Sequence, residues 1–469
     1  MIERTENRPF GFRDKMGYMF GDFGNDFTFV FASTYLMVFY TKVLGIDAAM
    51  VGVLFLVARC VDAFTDVGMG RIVDSAPENP RGRFRVWILR MCGPVAISSF
   101  LMYQSGLASA SMTVKIVYMF VTYLLWGSVF YTAVNIPYGS MASVISEQPK
   151  DRQSLSVFRS LGSTFAAVAI SVIAPILIFQ TDDQGNQVVI GSRFTMVAGV
   201  FSLLAIICYL LCYFMVTERV VVRPGENKKA RTSVAKTLGQ IFSSRALLAM
   251  ILISVLTLCA TIMSQSISTY LFADYFKDTA ALSVNNLLGL PAALFLAAVA
   301  GKLVERFGRK EVTAAGCILA AILFFAAYFL RLKNVWGYIF ISFIASIGGM
   351  YLFNMTVWAM ITDVIDDKEV RTAQRDDGTI YGVYSFARKV GQALAGGVGG
   401  FALSAIGYDS LATAQTAQVQ QGIYGLATLF PAIIYTVVSL VFWFLYPLSK
   451  ERVDANAREL QKKRKNNVG

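Results

Sequence analysis

Two carboxylates one helical turn apart, Asp62 and Asp66, lie with Arg59 inside the apolar run AAMVGVLFLVARCVDAFTDVGMGRIV, residues 48–73. Positions 59, 62 and 66 fall on one stripe of a 3.6-period helix. A charge at bilayer depth costs on the order of 3 kcal/mol, so several on one stripe predict a polar cavity with a function. A second pair, Asp22 and Asp26, repeats the four-residue spacing in the preceding apolar run. Paired carboxylates in a low dielectric can ligate a small hard cation through oxygen or carry a proton, because each raises its neighbour's affinity for positive charge. The competing reading is a static network in which Arg59 neutralises Asp62 and ties helices together, although such pairs are often no better than apolar packing.

The fourth apolar run ends in WGSVFYTAVNIPYG (126–139), which sets Tyr131, Thr132 and Asn135 on or near one face ahead of the helix-perturbing Pro137. Hydroxyls, an amide and an aromatic ring suit a sugar, whose hydroxyls need paired donors and acceptors and whose C–H face needs an aromatic plate. Trp126, Tyr131 and Trp358 are the plates this sequence offers. Two bases lie inside later apolar runs, Arg159 in SVFRSLG and Lys389 in SFARKVG. Either could donate to hydroxyls or pair with a substrate carboxylate, or else snorkel to the interface. Arg388 is next to Lys389, and neighbours on a helix point about 100° apart, so only one of them faces a cavity squarely.

These residues must be positioned by membrane helices. Of 469 residues, 56% are hydrophobic and only 15% charged, a balance foreign to a soluble two-domain protein. Twelve apolar runs approach the length needed to span a bilayer, near 17–40, 47–71, 86–106, 114–141, 156–179, 193–216, 246–272, 285–301, 312–331, 335–360, 379–405 and 422–446. The predicted fold is an all-α membrane protein of 12 transmembrane helices in two six-helix halves. Residues 1–216 form the first half, 217–245 a cytoplasmic linker, 246–447 the second half and 448–469 a basic cytoplasmic tail. GRIVD followed by RGRFR after the second run is echoed by GKLVERFGRK after the eighth, a weak internal repeat. The charged stretch 363–377 reads as a solvated loop.

The formal charge of +12 sits mainly in the termini and even-numbered connections. This places both termini in the cytoplasm, in a multi-pass plasma-membrane protein touching anionic lipid. No aromatic-interleaved basic module accompanies the charge, so nucleic acid is not an expected partner. The N-terminal residues are polar and the first run already carries Asp22 and Asp26, so no cleavable signal is expected. Six cysteines fall within the runs and read as small apolar packing residues. The chain has no histidine, which removes imidazole catalysis and imidazole metal sites; a membrane-embedded carboxylate-dyad enzyme is the remaining enzymatic alternative.

With these residues in view the chain resembles the glycoside–pentoside–hexuronide cation symporters of the major facilitator superfamily, which include melibiose and glucuronide carriers. The likeness runs nearly end to end and is carried by GDFGNDF (21–27), LFLVARCVDAFTD (54–66), RGRFRVW (81–87), NIPYGSMA (135–142) and YSFARKVGQA (384–393). The resemblance implies that Asp62 and Asp66, with Thr132 and Thr65, bind the coupling cation. It implies that Asp26, Asn135, Arg159 and Lys389 contact the sugar; the residues themselves add Asn25, Tyr131 and Trp358 to the expected sugar site and Arg59 and Asp22 as ion-pairing and coupling residues. Thr65 stands where the melibiose type has asparagine, and Asn135 where its sugar site has aspartate. An amide cannot accept from two hydroxyls as a carboxylate does, which argues against a strict α-galactoside carrier, and the NIPYGS run is similar to that of the glucuronide carrier, which implies a uronide. The expected function is secondary active transport coupling H+ or Na+ to uptake of a glycoside or uronide-type sugar by a monomer without a cofactor. A lipid or lysolipid transporter on the same scaffold is the alternative within the class.

Overall fold

The computed structural model describes residues 8–75, 79, 81–146, 148–220, 244–372, 377–412 and 414–466. The first helices are α1 (Phe12–Val38), α2 (Ala48–Ser75), α3 (Arg85–Leu101), α4 (Met112–Leu124), α5 (Thr132–Ile145), α6 (Pro149–Ile178) and α7 (Gly191–Met215). A short antiparallel hairpin, β1 (Phe179–Thr181) with β2 (Gln187–Val189), joins α6 to α7 and pairs Phe179 with Val189. After the linker come α8 (Arg245–Tyr270), α9 (Thr279–Leu287), α10 (Gly289–Phe307), α11 (Arg309–Leu330), α12 (Val335–Ser346), α13 (Leu352–Thr372), α14 (Asp377–Ala405), α15 (Ala417–Leu440) and α16 (Lys450–Asn466). Among the described residues ten helical stretches are long and apolar enough to cross a membrane. This makes the chain a multi-pass membrane protein with an all-α architecture, since a lipid-exposed backbone must satisfy its hydrogen bonds internally. Helices α1 and α14, of 27 and 29 residues, lie outside that set of ten; they carry GDFGND and the Arg388, Lys389 pair.

The helix boundaries follow local chemistry. The Asp14 carboxylate accepts from the Gly11 amide at 3.2 Å ahead of α1, and Ser244, Asn334 and Thr416 each cap a helix by accepting from an amide of its first turn. Pro94, Pro137, Pro175 and Pro431 sit inside helices, as membrane helices tolerate where neighbouring groups re-satisfy the backbone. One wide turn of π-helix, Leu125–Tyr131, joins α4 to α5, so the expected perturbation falls ahead of Pro137 and not at it.

The chain divides into two compact units. The first comprises Met1–Lys229 with Leu282–Asn286 and Leu403–Gln415; the second comprises Ala230–Ala281, Leu287–Ala402 and Thr416–Gly469. In the first unit α1 packs against α6 and α7, and α3 against α7. Two glycines of GDFGND permit this approach. A Cβ at Gly21 would overlap the Tyr138 ring of α5, and one at Gly24 would lie 2.8 Å from the Tyr209 ring of α7. Gly21→Val is therefore expected to destabilise the fold by the ~1–3 kcal/mol of an overpacked core. Thermal unfolding in detergent measures this, and an unchanged midpoint would mean that α1 and α5 do not pack at this distance.

In the second unit α11 packs on α15 around Ala314, Cys317, Ala321, Phe324, Ala432 and Tyr435. Here the structure corrects a sequence expectation. The stretch 363–377, read as a solvated loop, is helical as far as Thr372, and Asp363 and Asp367 are only 7% and 3% exposed. Each acid is neutralised by arginines that lie elsewhere along the helix or chain: Asp363 by Arg309, and Asp367 by Arg371 and Arg452, both at 3.0 Å. Residues 373–376 lie outside the described residues. The basic segment expected as a tail forms α16, whose Arg452 and Asn456 both donate to Asp367.

Candidate functional site

Five elements of the first unit bring the predicted polar residues together. Helix α2 contributes Arg59, Asp62, Thr65 and Asp66; the π turn and α5 contribute Tyr131, Thr132 and Asn135; α1 contributes Asp22, Asn25 and Asp26; α6 contributes Arg159. Between α2 and the α4–α5 segment the contacts form two rungs. Ser128 Oγ donates to Asp62 Oδ1 at 2.5 Å, and Thr132 Oγ1 to Asp66 Oδ1 at 3.1 Å. Each rung joins residues four apart on one helix to residues four apart on the other, so both carboxylates meet a hydroxyl. Arg59 reaches Asp62 Oδ2 at 3.4 Å, with both side chains about a quarter exposed, at 27% and 20%. Its guanidinium also lies over the Phe29 ring at 5.7 Å. The Thr65 hydroxyl donates back to Asp62 O at 3.3 Å, within its own helix, so it is spent on the backbone in this arrangement.

A second group centres on α1 and α6. Arg159 Nε donates to Asp22 Oδ1 at 3.0 Å, and its guanidinium sits over the Tyr138 ring at 5.2 Å. Tyr138 in turn stacks on Tyr18 and donates to Tyr18 O at 2.7 Å, which fixes the ring beneath the arginine. Asn25 Oδ1 accepts from Tyr209 at 2.9 Å. Asn25 Nδ2 and Asp26 Oδ2 are buried and make no hydrogen bond among the described residues. A buried donor and a buried acceptor left in this state cost about 1–3 kcal/mol each unless a partner arrives. A polyol supplies both kinds of partner. Phe29 and Tyr131 stack at 5.4 Å and 19°, giving an aromatic wall between the two groups.

Other expectations fall differently. Asn135 is partly exposed one turn beyond Tyr131 on α5. Trp126, offered as a sugar plate, is 2% exposed and packs against Tyr123 and Tyr131, so it is a wall behind Tyr131 and not a face for ligand. Trp358 and Lys389 belong to the second unit, on α13 and α14; the Lys389 side chain lies outside the described residues. Trp358 is 40% exposed, and the cation over its ring, at 5.4 Å, is Arg388. Sequence reasoning overlooked Ser128. The signal was present in its spacing of four from Thr132, which matches that of Asp62 and Asp66.

Comparison with known proteins identifies the family and the fold. Residues 17–450 match the family described as MFS/sugar transport protein. The chain is similar to the Uncharacterized symporter YjmB of Bacillus subtilis (strain 168), at 32% identity over 98% of this chain and 97% of that protein. It is similar to the Glucuronide carrier protein homolog of Escherichia coli (strain K12), at 29% identity over 98% and 97%. The crystal structure of nucleoside transporter NupG has the same fold, with a TM-score of 0.63 at 16% identity over 93% of this chain and 100% of that chain. The protein is thus a secondary sugar transporter and not an enzyme. With its paired carboxylates, its aromatic-walled polar group and a family match over nearly its whole length, the chain belongs to the MFS/sugar transport protein family, among the glycoside–pentoside–hexuronide cation symporters.

Proposed function

We propose that this transporter couples the influx of H+ or Na+ to uptake of a glycoside or uronide-type sugar by alternating access of its two halves. The observation that carries the reading is the double rung of Asp62 with Ser128 and Asp66 with Thr132. Two carboxylates and two hydroxyls from facing helices supply the hard oxygen donors that a small cation requires, and the same carboxylates can hold a proton. A cation bound there weakens the attraction of Asp62 for Arg59 and changes the charge next to the Phe29 and Tyr131 wall. Sugar and cation sites then share one set of helices, so occupancy of one alters the other. Asn25, Asp26 and Arg159 supply donors and acceptors to sugar hydroxyls, with Asp22 holding Arg159 and Tyr131 as the aromatic face. The relative named as a symporter and the one named as a glucuronide carrier homolog support both parts of the reading. The distribution of Lys and Arg supports cytoplasmic termini in the plasma membrane.

The test is the external pH of lightly buffered, sodium-free proteoliposomes on addition of an aryl β-glucuronide. An alkaline shift, missing in protein-free vesicles, is the result expected for proton symport. With no shift, labelled uptake that depends on a sodium gradient is expected. Failure of a panel of uronides, pentosides and galactosides to accumulate under either gradient would reject the proposal.

A further inference from the structure

We propose that Arg388, seated on Trp358, is a specificity residue that binds a carboxylate on the transported sugar and so selects acidic glycosides over neutral ones. The inference rests on the reading of the protein as a cation-coupled glycoside transporter and goes beyond it by assigning the acid-reading group.

The arginines of α2, α6 and α14 differ in what faces their charge. Arg59 is matched by Asp62 and Arg159 by Asp22. Arg388 has no carboxylate partner among the described residues, and its guanidinium lies instead over the Trp358 ring at 5.4 Å. It stands eleven residues inside the 29-residue α14, about 16 Å along the helix axis from its start. An aromatic face offsets part of the cost of holding a cation there but brings no negative charge. The cation is therefore left for an anion that arrives with the ligand.

The platform is held in place. Tyr384 packs edge-on to Trp358, with ring centres 5.4 Å apart at 80°, and its hydroxyl accepts from Ser254 Oγ at 3.0 Å. The indole is 40% exposed and Arg388 is partly exposed, so protein does not cover the pair. A guanidinium that rests on a ring keeps its in-plane N–H edge for a planar acid, which it grips with two charge-assisted hydrogen bonds. A sugar carboxylate meets that edge while the sugar ring lies against exposed indole. A neutral hydroxymethyl group in the same place leaves the cation unmatched. Lysine could supply the charge but not the forked geometry.

The experiment compares 4-nitrophenyl β-glucuronide with 4-nitrophenyl β-glucoside, which differ in one carboxylate, by calorimetric binding to the purified full-length protein and by gradient-driven uptake into proteoliposomes. The wild-type protein is expected to bind the glucuronide at least about tenfold more tightly, the scale of one charge-assisted pair. R388Q should lose about tenfold in glucuronide affinity and less than about twofold in glucoside affinity, with R388K and W358F between them. If R388Q does not fold, R388K and W358F carry the test through the ratio of the two affinities. A wild-type protein without preference for the acid, or an R388Q variant that keeps the wild-type ratio, overturns the proposal. If the glucoside still accumulates under a cation gradient in that case, the transport reading stands and the assignment of Arg388 alone falls. If neither sugar binds or accumulates, both fall.

Discussion

Asp62→Asn is expected to abolish gradient-driven accumulation of sugar, bringing the internal-to-external ratio to unity, while exchange of labelled for unlabelled sugar at equal concentrations persists. The substitution is nearly isosteric. The amide oxygen can still accept from Ser128 Oγ, which lies 2.5 Å from Asp62 Oδ1, so the rung between the helices survives. What disappears is the charge. A site with Asp66 as its remaining carboxylate has lost half of its formal negative charge, and in a medium of low dielectric that term dominates affinity for a cation. Arg59 loses the partner it reaches at 3.4 Å and keeps only its position over Phe29. A cation then gains nothing by binding before the sugar, and transport loses its drive without losing its path. Uphill uptake retained in Asp62→Asn would remove Asp62 from the coupling site. Loss of exchange as well would show that Asp62 is needed for the sugar or for the fold.

How far this was legible in the sequence depends on the range of the interaction. Asp62, Asp66 and Arg59 lie on one stripe of one helix, and a 3.6-residue period is enough to group them. Gly21 and Gly24 stand out beside Asp22 and Asp26, but the tyrosines that require them, Tyr138 and Tyr209, are more than a hundred residues away. Ser128 was harder to see, because the segment Leu125–Tyr131 is wound as a π turn. Side-chain directions counted at 100° per residue drift there, which is also why Trp126 is turned into the interior and Tyr131 is not. Density of charge misled in one place. Asp363 and Asp367 look solvated in sequence, yet Arg309 and Arg452 reach them from 54 and 85 residues away and allow α13 to continue. Partners of that kind are set by tertiary packing, and no local pattern announces them.

The same dependence on distant partners governs Arg159, and it gives the second large effect. Arg159→Ala is expected to weaken sugar binding about 100-fold, which corresponds to about 2.7 kcal/mol. Arg159 spends Nε on Asp22 at 3.0 Å, rests over Tyr138 and also meets the Tyr18 hydroxyl. The guanidinium that neutralises Asp22 also acts on Asp26, whose Oδ2 makes no hydrogen bond among the described residues. Removing the guanidinium takes away ligand donors and also leaves the 9% exposed Asp22 side chain without its counter-ion. The second loss is a cost to the fold, reduced by the 41% exposure of Arg159. The two contributions separate in a double variant. Arg159→Gln with Asp22→Asn removes both charges together, so thermal stability should return to near the wild-type value while sugar affinity stays as low as in Arg159→Ala. Calorimetric binding alongside thermal unfolding reads both. If affinity recovers together with stability, Arg159 serves only to neutralise Asp22 and does not touch the sugar; if Arg159→Ala binds sugar as the wild type does, the α1 and α6 group is not the sugar site.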